Sequence, residues 1–427
     1  MMQKKETIAQ GSLPNLRFPE FQGDWGNKRL GGIAEVITEK AGNQKYTLMS
    51  ITSGVGLVSQ MEKFGREIAG AQYKNYLVIR EDDFAYNKSA TKEHPEGFIA
   101  MYSGEDAAAV PNSIFTCLRV QDSTISPQYL KYLFLGNLHG KWLRKFIAVG
   151  ARAHGSLNVD NEDLLSLPVP LPGGYTSLDE QKKIADCLSS VDGLITAQSQ
   201  KLETLKTHKK GLMQQLFPSE GESQPNLRFP KFQDDWVVKK LGELGKLIGG
   251  GTPDRSVAEY WQGEIPWVSS SDIYEDDINT ISVTRFINDK SISESATKIV
   301  PKGSVLFVSR VGTGKLAIND IDVCTSQDFM NFIPKKVSNY FLGYFFVANK
   351  SALVSLGQGT SIKGFSKGDL EKLEVSYPGD LEQQKIADCL SSIDELITAQ
   401  TQKLGTLKTH KKGLMQQLFP VLDEVLG

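Results

Sequence analysis

The chain has 427 residues, of which 40% are hydrophobic and 23% charged, so it can form two or three globular units, and a disordered or collagen-like protein is excluded. The formal net charge is −2, so any binding to a polyanion must rest on local basic surfaces. No stretch approaches the roughly 18 uninterrupted apolar residues of a membrane span, and residues 1–10 lack the apolar run of a signal peptide. We therefore expect a soluble, cytoplasmic protein.

Two series of motifs follow each other in the same order along the chain. Residues 14–25 read PNLRFPEFQGDW and residues 225–236 read PNLRFPKFQDDW, and we name these the opening motifs. Residues 180–218 return at 382–420 with 34 of 39 positions identical. A duplication alone does not indicate a function, but two nearly identical segments predict two equivalent docking surfaces.

Between each opening motif and the repeated segment lies a variable block. The two blocks differ in sequence, and the first is nine residues longer, yet a weak common skeleton survives. Residues 83–89 align with 304–310 as an apolar strand that ends in polar and basic residues, and residues 129–134 align with 341–346. The blocks are therefore predicted to be one fold that carries two different surfaces.

The repeats define the predicted domain organisation. It consists of an N-terminal tail (1–13), a first globular domain (14–178), a first long helix (179–218), a linker (219–224), a second globular domain (225–380), a second long helix (381–420) and a C-terminal tail (421–427).

Apolar residues in both repeated segments follow the 4-3-4 spacing of a heptad seam. The seam residues are Ile184, Leu188, Val191, Ile195, Leu202 and Leu205 in the first segment and Ile386, Leu390, Ile393, Ile397, Leu404 and Leu407 in the second. Polar residues interrupt the seams at Gln198 and Lys209, and at Gln400 and Lys411. An antiparallel pair of helices, each roughly 57 Å long, is the simplest way to bury both seams. Two independent helices, each packed on its own block, are the alternative.

Several stretches resemble catalytic or ligand-binding motifs but lack essential residues. Residues 309–316 (SRVGTGKL) resemble the end of a P-loop, yet the earlier glycine is missing and Leu316 replaces the metal-binding Ser or Thr. Residues 249–253 (GGGTP) are typical of a turn. The chain has no Pro-Pro pair for a DNA adenine methyltransferase motif. Its one Pro-Asp pair, Pro253-Asp254, is followed by no lysine with an Asp or Glu two positions before it, so the carboxylate and lysine pattern of a metal-dependent nuclease is missing. The four cysteines and five histidines show no metal-ligand spacing, so we expect no catalytic residues and no metal site.

Four phrases together resemble type I restriction-modification specificity subunits. They are residues 249–273, 303–318 and 359–378 and the repeated EQ-x-KIADCLSS. The resemblance covers nearly the whole chain and is weaker in the first block, notably at 153–172. It implies an α/β fold with two globular target-recognition domains in a pseudo-two-fold arrangement, separated by two long antiparallel coiled-coil helices.

The resemblance also implies a function. The chain would be the non-catalytic specificity subunit of a multi-subunit DNA adenine methyltransferase and ATP-dependent endonuclease. Each domain would read one half of a bipartite target in double-stranded DNA, while the helices set the spacing and dock two methyltransferase subunits. Restriction subunits would complete the complex, and S-adenosylmethionine, ATP and Mg²⁺ are expected only in the partner subunits. A coiled-coil scaffold that binds proteins without reading DNA is the alternative.

Sequence-specific reading requires polar side chains at base edges and basic or hydroxyl groups at phosphates. The candidates are Lys88, Ser89, Lys92, Arg152, His154 and Ser156 in the first domain and Ser269, Ser270, Arg310, Thr313, Lys315, Thr360, Ser361 and Lys363 in the second. Polar loop residues are also common where they only meet solvent. Basic residues in the repeated KTHKKGLMQQLFP suit either phosphate contacts or the negative end of a helix dipole.

Overall fold

The computed structural model describes residues 13–52, 55–70, 72–147, 157–175, 177–219, 221–357 and 364–421. The chain divides into two compact units, one of Met1–Gln198 with Lys403–Gly427 and one of Ser199–Gln402. Both boundaries fall inside a long helix. Each unit therefore contains one variable block, the N-terminal half of one long helix and the C-terminal half of the other.

The first variable block is built from ten strands and four short helices, and a long helix follows it. The elements are β1 (Trp25–Arg29), β2 (Ala34–Val36), β3 (Thr47–Thr52), β4 (Gly56–Ser59), α1 (Gln60–Phe64), β5 (Leu77–Ile79), β6 (Phe84–Asn87), β7 (Phe98–Met101), β8 (Ala108–Val110), β9 (Phe115–Val120), α2 (Pro127–Leu135), α3 (Leu138–Leu143), α4 (Asn161–Leu165), β10 (Pro168–Pro172) and α5 (Ser177–Leu216). Short 3-10 helices span Leu30–Gly32 and Tyr73–Asn75. The central strands are short apolar runs that are buried on both faces, as strands at the centre of a layered domain are.

The second variable block repeats this series of elements. They are β11 (Val237–Lys240), α6 (Leu241–Leu244), β12 (Gly245–Gly249), β13 (Ile265–Val268), β14 (Arg285–Ile287), α7 (Asp289–Glu294), β15 (Ile299–Val300), β16 (Val305–Val308), β17 (Leu316–Ile318), β18 (Val323–Thr325), β19 (Phe329–Pro334), α8 (Asn339–Ala348), α9 (Lys350–Ser355), α10 (Lys367–Glu371), β20 (Glu374–Tyr377) and α11 (Asp380–Leu418). Short 3-10 helices span Ala258–Trp261 and Ser270–Asp272.

The two blocks share one sheet topology. The first block has sheets of order β2-β9-β6-β7 and β4-β3-β8-β5 with a β1-β10 pair, and the second has β12-β19-β16-β17 and β14-β13-β18-β15 with a β11-β20 pair. In each block one strand pair is parallel, β3 with β8 and β13 with β18, and the other pairs are antiparallel. The aligned stretches 83–89 and 304–310 contain the equivalent strands β6 and β16. The prediction of two α/β domains of one fold is confirmed.

The core of each unit includes the end of the long helix from the other repeat. In the first unit the ring of Tyr129 lies between Trp25 and Phe419, with centroid distances of 6.4 and 5.3 Å. In the second unit Phe341 lies in the same way between Trp236 and Phe217, at 5.6 and 5.4 Å. Each set joins an opening motif, a helix of the block and a helix C-terminus.

Within each unit the two long helices run antiparallel. In the first unit Arg17 binds Glu180 in the first turn of α5. The neighbouring Leu16 donates its N–H to the carbonyl of Gln417, near the C-terminus of α11. Twelve residues further along α5, Asp192 meets Lys411, which precedes Gln417 on α11. The second unit repeats this arrangement, with Leu227 bound to Gln215, Arg228 to Glu382 and Lys209 to Asp394. The predicted antiparallel helix pair is confirmed.

The helix bounds differ slightly from those expected from the repeats. α5 begins at Ser177 and α11 at Asp380, and they end at Leu216 and Leu418. Each ends two residues before a proline, Pro218 or Pro420, because the residue that precedes a proline disfavours helical dihedrals. None of the described helices combines the length and apolarity needed to cross a bilayer.

The predicted seam residues differ in burial along each helix. Ile184, Leu188, Leu202, Ile386, Leu390 and Ile393 are buried, whereas Val191, Ile195, Leu205, Ile397, Leu404 and Leu407 are half-buried. Gln400, one of the polar interruptions, is also buried. Burial is thus most complete where the N-terminal half of each helix meets its own block.

A paired arginine and glutamate join each opening motif to the first turn of a long helix. Arg17 donates two hydrogen bonds of 2.8 Å to the buried Glu180. Arg228 binds Glu382 in the same bidentate way, at 2.9 and 2.6 Å. The side-chain hydrogen bond and charge of Glu180 raise the pKa of Arg17 despite its partial burial. A carboxylate in the first turn also suits the positive end of the helix dipole.

Replacing Arg17 with Met is expected to lower the free energy of unfolding of the first unit by about 3 kcal/mol, because Glu180 would remain buried without its partner. Urea unfolding followed by tryptophan fluorescence measures the loss. Lys28→Met is the control, since its side chain is 52% exposed and Asp122 would keep its hydrogen bonds from Thr124, so the loss should be less than about 1 kcal/mol. Equal losses in the two variants would contradict the assignment.

His139 makes the stability of the first unit depend on pH. Its ring is buried between Tyr86 and Phe134, and Nε2 lies 3.3 Å from the carbonyl of Gly97. Burial lowers the pKa of His139 from 6.5 to about 4. The unfolded chain therefore binds a proton below pH 6.5 that the folded unit takes up only near pH 4, so this stabilisation is lost as the pH falls through that window.

Unfolding titrations at pH 7 and pH 4.5 are expected to show a loss of up to about 3 kcal/mol in the first unit. In His139→Leu, which cannot titrate, the same change of pH should cost much less. His410→Gln alters an exposed histidine and should retain the pH dependence of the parent. If His139→Leu also retained it, another group would be responsible.

Candidate nucleic-acid interface

The first block brings two chain segments together where β6 ends. Lys88, the residue after β6, donates its N–H to the carbonyl of Ile114 at 2.9 Å, and its own carbonyl accepts from Leu157 at 2.6 Å. Leu157 is the first described residue after 148–156. The candidates Arg152, His154 and Ser156 therefore precede this contact in sequence, but they lie outside the described residues.

Lys88, Ser89 and Lys92 follow one another along this edge. Lys88 and Ser89 are half-buried and Lys92 is exposed. The N–H of Ser89 donates to Oδ1 of Asn87 at 2.9 Å. Ser89 and Asn87 also line a cavity of about 340 Å³ together with Thr91, His94 and Lys63. Amide, hydroxyl and ammonium groups thus surround a concave surface at the edge.

The second block repeats this construction where β16 ends. The N–H of Ser309 donates to the carbonyl of Asp328 at 2.7 Å, and the carbonyl of Ser309 accepts from Phe365 at 3.2 Å. Phe365 follows the stretch 358–363, as Leu157 follows 148–156. The candidates Thr360, Ser361 and Lys363 belong to that stretch and lie outside the described residues.

The loop between β16 and β17 contains the residues that resemble a P-loop in sequence. Arg310 and Val311 are exposed, and Thr313 is half-buried. Val311 has φ of +46°, beside Gly312 at +105° and Gly314 at +97°. A β-branched residue in this region is strained, and such strain is concentrated at functional sites. Lys315 lies against the domain, because its ammonium donates to the carbonyl of Ile273 at 3.3 Å.

Ser269 and Ser270 lie at the same edge of the second block. The N–H of Ser326 donates to the carbonyl of Val268 at 2.9 Å, so the end of β13 adjoins the turn that holds Ser309. Ser269 is engaged within the domain, since its N–H donates to Asp272 Oδ2 at 2.7 Å. Ser270 opens the following 3-10 helix and is half-buried.

A buried carboxylate explains why Ser269 is held in place. Arg285 binds Asp272 at 2.6 Å, also donates to Ser269 Oγ, and lies 4.8 Å from the ring of Trp267. This packing role accounts for Ser269 without any ligand, as the contact with Ile273 does for Lys315. A DNA-contacting role for these two residues stays a prediction.

The structure adds polar residues that the sequence patterns did not select. Asn87, Thr91 and Lys63 line the first cavity, and Arg285 lies beside Ser269. Asn87 is the last residue of β6 and directly precedes Lys88, so its position was visible in the sequence. Arg285 gave no such signal, because its partner Asp272 stands 13 residues earlier.

The two edges carry the chemistry of base and phosphate recognition. Amides and hydroxyls can bond base edges, and exposed Arg310 and Lys92 can bond bases or phosphates. Across the described ranges, no three His, Cys, Asp or Glu side chains are placed to hold a metal ion.

Comparison with known proteins identifies a family over most of the chain. The sequence profile of the family described as "Type I restriction modification DNA specificity domain" matches residues 22–207 and 233–409. The two matches include one variable block each, together with most of the helix that follows.

Relatives named as type I restriction enzyme specificity subunits come from Methanocaldococcus jannaschii and Escherichia coli. The MjaX specificity subunit of Methanocaldococcus jannaschii, named a putative type I restriction enzyme, is 28% identical over 94% of this chain and 94% of its own. The MjaIX specificity subunit of that organism is 37% identical over 39% of this chain and 40% of its own. The EcoR124I/EcoR124II specificity subunit of Escherichia coli is 26% identical over 58% of this chain and 60% of its own.

Solved structures share the fold at low sequence identity. The S subunit of a type I restriction-modification system from M. genitalium matches with a TM-score of 0.59 and 13% identity, covering 96% of this chain and 99% of that one. A chain from a study of complex assembly and conformational transition of the type I R-M system matches with a TM-score of 0.56 and 17% identity, covering 94% and 97%.

The matches give no support to the alternative of a protein-binding scaffold without DNA readout. Members of the matched family recognise DNA and are non-catalytic, since catalysis belongs to separate subunits. The profile covers well over half of the residues, in two copies that coincide with the two repeats. The chain therefore belongs to the family of type I restriction-modification DNA specificity subunits.

Proposed function

We propose that this chain gives a type I restriction-modification complex its DNA sequence specificity, and that its two domains read two different half-sites of one double-stranded target. One observation carries the proposal. Two blocks with the same strand order present different side chains at the same edge, Lys88 and Ser89 in one and Ser309 and Arg310 in the other. One fold with two different reading edges suits two different short sequences.

We assign readout to the candidate residues at these edges, in two groups. Exposed Lys92 and Arg310 supply contacts to bases and phosphates, and the same role is proposed for the candidates outside the described residues, Arg152, His154, Ser156, Thr360, Ser361 and Lys363. Asn87 and Ser89, which line the cavity in the first domain, are suited to hydrogen bonds with a base edge. Ser269 and Lys315 support the reading loop, because their polar atoms already have partners within the domain.

The family assembles with methyltransferase and restriction subunits, and for this chain we propose two methyltransferase subunits docked on the long helices. The support is that the helices match at 34 of 39 positions, including exposed ones. Leu194 on α5 and Leu396 on α11 occupy equivalent positions and are 52% and 56% exposed. Exposed leucines at repeated positions are suited to two copies of one partner.

The chemistry and location follow from this assignment. S-adenosylmethionine, ATP and Mg²⁺ would be bound by the partner subunits, which carry out methyl transfer and cleavage. Because its substrate is the DNA of the cell and of entering phage, we place the complex in the cytoplasm.

Lengthening the helices should change only the spacing of the target. Seven residues inserted after Gln198 and seven after Gln402 fall at the boundaries of the two units, so each unit stays unchanged, and the heptad phase is kept. The insertion adds about 10.5 Å of helix, or about three base pairs at roughly 3.4 Å each. Mapping methylated adenines in cells that also carry the methyltransferase partner should show the two parental half-sites with a longer spacer.

Exchanging a block should have the opposite effect. Residues 237–380, replaced by the equivalent block of another specificity subunit, should change one half-site and leave the spacer unchanged. The same methylation map measures the result. A helix insertion that altered the bases of a half-site, or a block exchange that altered only the spacing, would refute this division of roles.

Two basic residues of the β16–β17 loop should differ in their contribution to DNA binding. Arg310→Ala should weaken binding of the complex to its target and reduce the slope of log K against log salt by about one if Arg310 binds a phosphate, or relax one base position if it reads a base. Lys315→Met should leave the salt slope unchanged even if it loosens the loop, because this ammonium donates to the carbonyl of Ile273 and not to a phosphate. Binding that was insensitive to Arg310→Ala would show that the loop faces away from DNA.

A further inference from the structure

Lys209 interrupts the apolar seam of α5, and in the second unit it belongs to a buried polar cluster. Lys209 is only 8% exposed, and its Nζ lies 2.6 Å from Asp394 Oδ1 on α11. Tyr344 of α8 donates its hydroxyl to Asp394 Oδ2 at 2.7 Å, and its ring lies 5.3 Å from Nζ of Lys209. Asn279 donates a further hydrogen bond of 3.2 Å to Asp394. Both carboxylate oxygens are thus satisfied by different elements.

The first unit contains the same cluster made of equivalent residues. Lys411 of α11 lies 2.6 Å from Asp192 Oδ1 on α5. Tyr132 of α2 donates its hydroxyl to Asp192 Oδ2 at 2.9 Å, and its ring lies 5.5 Å from Nζ of Lys411. The pair is less buried here, with side chains 18% and 34% exposed against 10% and 16% in the second unit.

Each cluster joins three elements at one point. The lysine comes from the C-terminal half of one long helix, the aspartate from the other helix, and the tyrosine from the recognition domain. A buried ammonium that loses its carboxylate is strongly unfavourable, so the cluster penalises every alternative alignment of the three elements. A single polar residue in an apolar seam sets helix register in the same way.

The two clusters specify one and the same helix register. Asp192 and Lys209 are 17 residues apart on α5, and Asp394 and Lys411 are 17 residues apart on α11. An antiparallel pair aligned by one cluster is therefore also aligned by the other. The tyrosine attaches the recognition domain to the helix pair at a fixed point.

We propose that the Tyr344–Asp394–Lys209 and Tyr132–Asp192–Lys411 clusters are positioning residues that determine the spacing between the two half-sites, a role that rests on the proposed reading of a bipartite target. They touch no DNA. Each cluster holds its recognition domain at one position along the helix pair, and it thereby selects one spacer length.

Distances show why the selection can be sharp. One base pair corresponds to about 3.4 Å along DNA, which is close to two residues of helix rise at about 1.5 Å each. A hydrogen-bonded ion pair of 2.6 Å cannot persist through a displacement of that size. Reading a target that is one base pair longer or shorter therefore requires the cluster to break.

The test replaces the whole second cluster by apolar residues of similar size, Lys209→Met with Asp394→Leu and Tyr344→Phe. Such replacements of a buried ion pair commonly preserve stability. In complex with the methyltransferase partner, the variant is given DNA substrates with the parental spacer and with spacers one base pair shorter or longer. Relative methylation of the altered substrates should rise at least about tenfold, because the variant lacks the hydrogen-bonded ion pair that would have to break for those spacers to be read.

Matched variants distinguish a positioning role of the cluster from a general loss of stability. The equivalent replacement in the first unit, Lys411→Met with Asp192→Leu and Tyr132→Phe, should give a smaller rise, since that cluster is less buried. Glu203→Gln removes the exposed Glu203–Lys206 pair on α5 and should leave spacer selectivity at the parental level. Size-exclusion chromatography verifies that each variant assembles.

An assembled triple variant that methylates only the parental spacer would overturn the proposal. If the triple variant does not assemble, Tyr344→Phe decides, because it removes one hydroxyl. If the Tyr344→Phe complex methylates the substrates with altered spacers more than the parent does, the proposal is supported. If its spacer selectivity equals that of the parent, the proposal is overturned. Failure of the proposed function is distinguishable, because the parental complex would then show no bipartite target in the first place.

Discussion

The structure depends on an exchange of helix ends between the two repeats. Neither domain completes its core with its own repeat alone, because Phe419 packs on Tyr129 in the first unit and Phe217 packs on Phe341 in the second. The opening motifs reinforce the exchange, since Leu16 bonds Gln417 and Leu227 bonds Gln215. Completion of either core therefore requires the end of the long helix that follows the other domain.

This constraint explains which parts of the variable blocks resemble each other. Ser126 and Ser338 each cap the start of a helix, and each donates its backbone N–H to Oε1 of a buried glutamine of the long helix, Gln181 or Gln383. Tyr132 and Tyr344 bind the equivalent aspartates. The residues that two divergent blocks share are thus those that contact the repeated helices. Where β6 and β16 end, the blocks differ, and Lys88 and Ser89 stand in place of Ser309 and Arg310.

Periodicity and repetition were enough to predict the architecture but not the polar contacts within it. The 4-3-4 pattern identified the helix pair, yet it marked Lys209 and Lys411 only as interruptions, because their partners come from another helix and from a block distant in sequence. Among the candidate reading residues, residue type could not separate Arg310, which is exposed, from Lys315, whose ammonium is bound to a carbonyl. That distinction depends on the course of the loop, which the strained Val311 and two glycines determine.

Because the residues that attach a block to the helices differ from those at its reading edge, specificity can change without loss of the fold. A block is attached to the helix pair through a few contacts of repeated type: the arginine of the opening motif, the helix-capping serine and the tyrosine of the cluster. All of these contact the long helices, whereas the proposed reading residues follow the ends of β6 and β16. Substitutions of Arg310 or Lys92 should leave the attachment intact, because both residues are exposed and neither is one of these attachment residues. A new half-site can therefore arise from loop changes alone, whereas a new spacing requires changes in the helices or in the clusters that hold the blocks on them.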